Sequence, residues 1–151
     1  MIVLNNTVLS VFKRLDEIDL LKKLLARQVI LPTAVVEEYL EIGKESDLKG
    51  FTKINVEGDL GYTLGKGESH AILFARGNNC IFVTDDKRAK RFANDLGIVT
   101  TGTLGIIIAS VEKDRLSKEK ALELLDRIKH EKLLYLTEDL ARYAQSKIEN
   151  V

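Results

Sequence analysis

The chain has 151 residues with 23 basic and 23 acidic side chains, a formal net charge of zero. That length suits one domain with a sizeable core, and 45% hydrophobic with 30% charged residues is ordinary for a soluble globular protein. Zero net charge excludes a global positive field, so any polyanion must be held by a local patch.

Short apolar runs alternate with longer segments of helical period. Ile2 to Leu4 reads as a strand, and Thr7 to Leu15 as a helix with Val8, Leu9, Val11 and Phe12 on its apolar side. A second helix starts at Asp16 or Ile18 and carries Leu20, Leu21, Leu24 and Leu25. Val29 to Leu31 is the next strand, closed by Pro32, a residue suited to a first helical turn. Ala34 to Ile42 then predicts a helix with Val35, Val36, Tyr39 and Leu40 on one face.

Residues 43–50 are polar and predict a loop or short turn, and Lys53 to Val56 a minor strand. Gly61, Gly65 and Gly67 lead into a helix from Glu68 to about Arg76. A strand over Ile81 to Thr84, a helix over Asp86 to Leu96 and a strand over Ile98 to Thr100 follow. Three helical segments, near 103–112, 117–129 and 137–149, finish the chain. Such alternation predicts an α/β sandwich with a mainly parallel sheet, whose ligands bind beyond the carboxyl ends of the strands.

Cys80 lies in an apolar run and reads as a buried structural thiol in a reducing compartment. The opening MIVLNN has neither a basic n-region nor a long apolar h-region, so a secretory signal is not expected. No apolar run approaches the roughly 20 residues of a bilayer span. A cytoplasmic protein with no membrane contact is the expectation.

Asn5, Glu38, Glu68 and Asp86 stand at the ends of apolar runs, where a parallel sheet presents its chemistry. Three carboxylates and one amide on one point would form an all-oxygen site, the kind preferred by Mg²⁺ or Mn²⁺. Each has a plainer reading. Asp85 or Asp86 can cap the helix that follows, and Asn5 and Asn6 can end a strand, with Thr7 as the next helix cap. Glu37 and Glu38 can form a solvated acidic face. Glu68 shares a helical stripe with Ala71, Ile72 and Ala75, so it either faces the core with a metal ion or an arginine, or lies in a hydrated first turn. Lys87, Arg88, Lys90 and Arg91 form either an exposed helix face or a phosphate-contacting patch. His70 reads as a packing or surface residue, with no second His or Cys beside it to suggest zinc.

Two other motifs fail. The segment GYTLGKGES lacks the spacing of a phosphate-binding loop and has Gly67 where Ser or Thr is needed. A phosphoacceptor receiver would carry paired acids after its first strand, where this chain has Asn5 and Asn6.

Taken in order, the motifs resemble the PIN-domain family of metal-dependent nucleases, in a prokaryotic branch of uncharacterised proteins related to VapC-type toxins. The resemblance runs over Asn5-Asn6-Thr7, then Pro32, Val35 and Glu38, then Leu64, Gly65, Gly67, Glu68, Ala71 and Ile72. Thr84, Asp85 and Asp86 follow, and the turn Gly102 to Gly105 completes it. It implies a three-layer α/β sandwich with a mainly parallel five-stranded sheet, here one PIN-like domain over 1–151 with a C-terminal helical extension from about 115.

The resemblance also implies a metal-dependent ribonuclease. Asn5, Glu38, Glu68 and Asp86 would be catalytic, the same four with Asp85 would hold Mg²⁺ or Mn²⁺, and Lys87, Arg88 and Arg91 would hold RNA. A homodimer and a small antitoxin partner are further implications. One departure stands out: most active members have aspartate where this chain has Asn5. An amide oxygen brings no charge, which implies weaker metal binding and leaves open a catalytically weak or inactive PIN-like binding module.

Overall fold

The three central strands arise from apolar runs too short to be helices. In the computed structural model, which describes residues 1–61 and 63–151, these are β1 (Ile2–Leu4), β2 (Val29–Pro32) and β4 (Ile81–Val83). β1 and β2 are buried along their whole length, as expected of parallel strands covered on both faces. The edges, β3 (Thr52–Ile54) and β5 (Thr100–Thr101), are short and partly polar, which suits unpaired strand edges.

All pairings are parallel, in the order β3-β2-β1-β4-β5. The register sets Ile2 beside both Val29 and Ile81, and Leu4 beside Val83. Eight α-helices complete the described residues: α1 (Asn6–Arg14), α2 (Ile18–Leu25), α3 (Thr33–Tyr39), α4 (Lys66–Asn78), α5 (Lys87–Asp95), α6 (Thr103–Glu112), α7 (Lys118–His130) and α8 (Glu138–Glu149). The fold is α/β, a five-stranded parallel sheet flanked by helices.

The chain divides into two compact units, Met1–Ser10 with Arg27–Gly102, and Val11–Ala26 with Thr103–Val151. In the first, Val3, Ile30 and Phe82 of the sheet pack on Ala71, Ile72 and Ala75 of α4. Ala89 and Ala93 of α5 join the same cluster. Small residues on these helix faces let the backbones lie close to the sheet. Cys80 is buried in this core, and burial pushes its thiol pKa up, which keeps it an inert packing residue.

In the second unit α7 and α8 bury Leu124, Leu125, Ile128, Ala141, Ala144 and Ile148. Ser117 and Thr137 cap them by accepting the amides of Lys120 and Leu140. Arg127 reaches the Leu15 carbonyl at 3.0 Å with one arm and forks onto Glu131 at 2.7 and 3.2 Å.

Several boundaries differ from the sequence reading. Pro32 does not open a helix; it is the last residue of β2, paired with Ile54, and α3 begins after it. Its extended conformation at the strand end needs no N–H. α3 also ends at Tyr39, short of Ile42, and Leu40 is 44% exposed, off the buried face where its spacing put it. Gly43 permits the turn that follows, since without a Cβ it can pass close over the Tyr39 ring. Ile98 belongs to the core as a loop residue, its N–H bonded to the Ala93 carbonyl, and pairing starts only at Thr100. Thr7 is not a cap, because α1 starts one residue earlier. Tyr62, in the glycine-rich approach to α4, lies outside the described residues.

The turn after α3 is held by the fully buried Tyr39, whose hydroxyl donates to Asp47 Oδ2 at 2.7 Å. Burial, and then this bond to Asp47, push the Tyr39 pKa up. Tyr39→Phe removes one such bond and is expected to cost about 1 kcal/mol, a fall in Tm of roughly 2–4 °C for a chain of this size. Thermal melting followed by circular dichroism reads it, and an unchanged Tm would deny the bond a structural role.

Candidate active site

β1 and β4 run side by side and end together, so the first residues beyond them meet. The Asn5 N–H continues the ladder to the Val83 carbonyl at 2.9 Å, which buries the side chain of Asn5 to 1% exposure. Its Nδ2 donates to Thr84 Oγ1 at 2.8 Å, and its Oδ1 accepts the Asn6 N–H at 2.7 Å. Thr84, with no exposed surface, also accepts the Asp86 N–H at 3.1 Å and lies 3.3 Å from the Thr7 hydroxyl. Thr7 Oγ1 in turn accepts the Asp85 N–H at 2.9 Å. The hydroxyl that the sequence suggested for capping α1 therefore serves the acidic loop after β4.

Asp86 is the N-cap of α5, its Oδ1 accepting the Ala89 N–H at 2.9 Å. Capping uses one oxygen and leaves the carboxylate free to act elsewhere as well. Asp85 lies toward Gly102: a Cβ there would stand 2.5 Å from Asp85 Oδ1 and 3.2 Å from Lys90 Nζ. The adjacent aspartates thus have different surroundings.

Glu38 and Glu68 meet at the N-terminus of α4, where amides have no intrahelical acceptor. Glu38 Oε1, from α3, accepts the Gly67 N–H at 3.1 Å, and Glu68 Oε2 accepts the Gly65 N–H at 3.1 Å. Gly67 makes room for this, since a Cβ at that position would stand 2.5 Å from Glu38 Oε1. Helix N-termini favour negative charge, yet both carboxyls have raised pKa values. For Glu38 the main cause is burial, opposed by the Gly67 N–H and reinforced by the charge of Glu41. For Glu68 burial again comes first, opposed by the Gly65 N–H. Asp86, through charge and a hydrogen bond, and then the charge of Glu38 raise it further.

Glu68 is therefore close enough to Asp86 and Glu38 for their charges to oppose its ionisation. Its neighbours are a backbone amide and like charges, and among the described residues no arginine pairs with it. Lys87, Arg88 and Arg91 are exposed on the first turns of α5, with Arg88 Nη1 donating to the Thr63 carbonyl at 3.2 Å. His70 is buried and its Nε2 lies 3.0 Å from the Gly58 carbonyl, a packing role. Thr7 read as a helix cap and Thr84 and Gly67 only as motif positions; their roles in holding the acids emerge from the structure. The available signal was a small hydroxyl residue directly before the acid pair and a glycine directly before Glu68.

Among the described residues no group of three or more His, Cys, Asp or Glu side chains forms a ready-made metal cage. The donor chemistry nevertheless fits a hard divalent cation: the donors are all oxygen, and the neighbouring charges of Asp86 and Glu38 oppose that of Glu68.

The family described as DUF3368, a PIN domain, matches residues 1–150. A PilT N-terminus domain protein of the hyperthermophilic archaeon Sulfolobus solfataricus P2 has a similar fold, with a TM-score of 0.59 at 21% identity. The likeness covers 74% of this chain and 93% of that one. No curated protein matches the chain.

A raised carboxyl pKa means that the folded protein binds the proton more tightly than the unfolded chain. Its stabilising effect is full at low pH and is lost as pH rises through the folded value. Glu68→Gln keeps an acceptor for the Gly65 N–H while removing the charge. In metal-free melting the variant is expected to match the native protein near pH 4 and to exceed it by about 2 °C or more near pH 8. Equal Tm values across the range would show that the crowding of Glu68 and Asp86 has no energetic weight.

Proposed function

We propose that this chain, which belongs to the PIN-domain family, is a divalent-cation-dependent endoribonuclease. PIN domains are in general nucleases; the choice of RNA and of Mg²⁺ or Mn²⁺ is the finer reading. The observation that carries it is the meeting of Glu38 and Glu68 on backbone amides at the start of α4, with Asp86 near enough to raise the Glu68 pKa, beyond the carboxyl ends of a parallel sheet.

Glu38, Glu68 and Asp86 would hold the cation. When bound, it activates a water and offsets charge on the scissile phosphate. The protein contributes orientation: Gly67 and Gly65 fix one oxygen each of Glu38 and Glu68, and the α5 cap fixes Asp86. Lys87, Arg88 and Arg91 offer an exposed local patch for the RNA backbone, which a chain of zero net charge requires. Asp85, near Gly102 and Lys90, takes a supporting place at the rim. Toxin activity restrained by a small antitoxin protein and a homodimeric state belong to the same reading, supported by the family resemblance alone; a cytoplasmic location is supported by the single cysteine, Cys80. Among the described residues no helix is long and apolar enough to cross a membrane.

A second reading, a PIN-like binding module without useful cation affinity, is favoured by the neutral Asn5. It predicts no saturable Mn²⁺ binding at millimolar concentration.

Asp86→Asn separates chemistry from fold, because asparagine caps a helix as well as aspartate does. Cleavage of a mixed RNA substrate with Mn²⁺ is expected to fall by at least the roughly 100-fold that loss of a mere supporting partner can cost. The melting profile should stay native. Cleavage at the native rate would remove Asp86 from the site.

A further inference from the structure

We infer that Asn5 is a positioning residue and not a cation ligand, acting on Asp86 through the hydroxyl of Thr84. The inference rests on the reading of Glu38, Glu68 and Asp86 as a cation centre. Three features of the site carry it: access, occupancy and the direction of the hydrogen bonds.

Asn5 is shut from solvent, whereas Glu38, Glu68 and Asp86 each keep part of their surface open. A divalent ion arrives hydrated and exchanges water for carboxylate oxygens, so it reaches the three acids without reaching the amide. Both ends of that amide are also engaged, Oδ1 by the Asn6 N–H and Nδ2 by Thr84 Oγ1. Turning it over would set Nδ2 against the Asn6 N–H, donor against donor, so its orientation is fixed.

That orientation fixes the next group. Thr84 Oγ1 has two lone pairs, and the donors on Asn5 and Asp86 fill both. Its own proton must then go to Thr7, whose oxygen also receives the Asp85 N–H. The amides of both aspartates thus hang, through two hydroxyls, from the one side chain that enters the relay as a donor. A carboxylate at position 5 could only accept. It would take the Thr84 proton, and the relay would have to reverse. The amide is the group that this hydrogen-bond order requires.

A residue that acts through another loses its effect when the intermediary is removed. The test is a double-mutant cycle of Asn5→Ala and Thr84→Val, read by calorimetric Mn²⁺ titration of the whole chain. Each single change is expected to weaken binding about 10-fold, in the range for residues that orient a metal ligand. The double variant should be no weaker than Thr84→Val, and Thr84→Ser should restore binding. Equal losses from Asn5→Ala in both backgrounds would make Asn5 a direct ligand and overturn the inference. Should Asn5→Ala fail to fold, Asn5→Asp takes its place: an effect on Mn²⁺ affinity that is independent of Thr84 overturns the inference, and one that requires Thr84 upholds it.

Absence of Mn²⁺ binding by the native protein would defeat the cation-centre reading itself. The positioning link is then read in metal-free protein from hydrogen exchange of the Asp86 amide. Faster exchange in each single variant, with no further gain in the double, upholds the link. Native exchange in Asn5→Ala breaks it.

Discussion

The arrangement depends on the reversal of strand order between β1 and β4. From β1 the sheet grows toward β2 and β3, while β4 starts on the other side of β1 and leads to β5. Such a switch point sets two strand ends side by side with no strand beyond them. The residues that leave the sheet there, Asn5 and Thr84, are buried by the pairing itself and must satisfy each other. Asp85 and Asp86 are placed relative to that bond through the two threonine hydroxyls, and Asp86 faces Glu68, which the start of α4 holds together with Glu38.

The crowded acids are tolerated because the helices receive them. Glu38 and Glu68 accept amides at the start of α4, and Asp86 accepts one at the start of α5. These bonds favour the charged forms, and burial with mutual repulsion opposes them. The balance gives a cluster that caps two helices in the absence of a cation yet stays electrostatically strained. A ligand of opposite charge would find its donors already oriented.

Much of the scaffold was legible from sequence because it rests on local pattern. Apolar runs of three or four residues marked the central strands, and helical periodicity marked the helices, the last three to within a residue or so. What escaped depended on contacts distant along the chain. Pro32 looks like a helix start until its pairing with Ile54 is seen, and Leu40 looks buried until α3 is seen to end at Tyr39. In the site, the positions of the acids beyond strand ends were readable, but their relations were not. Glu38 could be named as a candidate but not told from a solvated face, because its acceptor role lies at Gly67, on another helix. Nothing in an Asp-Asp pair tells which member turns toward Lys90 and which toward Glu68.

The gap over Gly67 ties two distant positions into one unit of sequence change. Its missing Cβ is the space that the Glu38 carboxylate occupies. Alanine at 67 would push the Glu38 carboxylate off the Gly67 amide, and a shorter acid at 38 would relieve that clash. Among diverging copies of this fold the two sites should therefore drift together. A glycine retained there would be a record of its partner's side chain, more than of any need for backbone freedom.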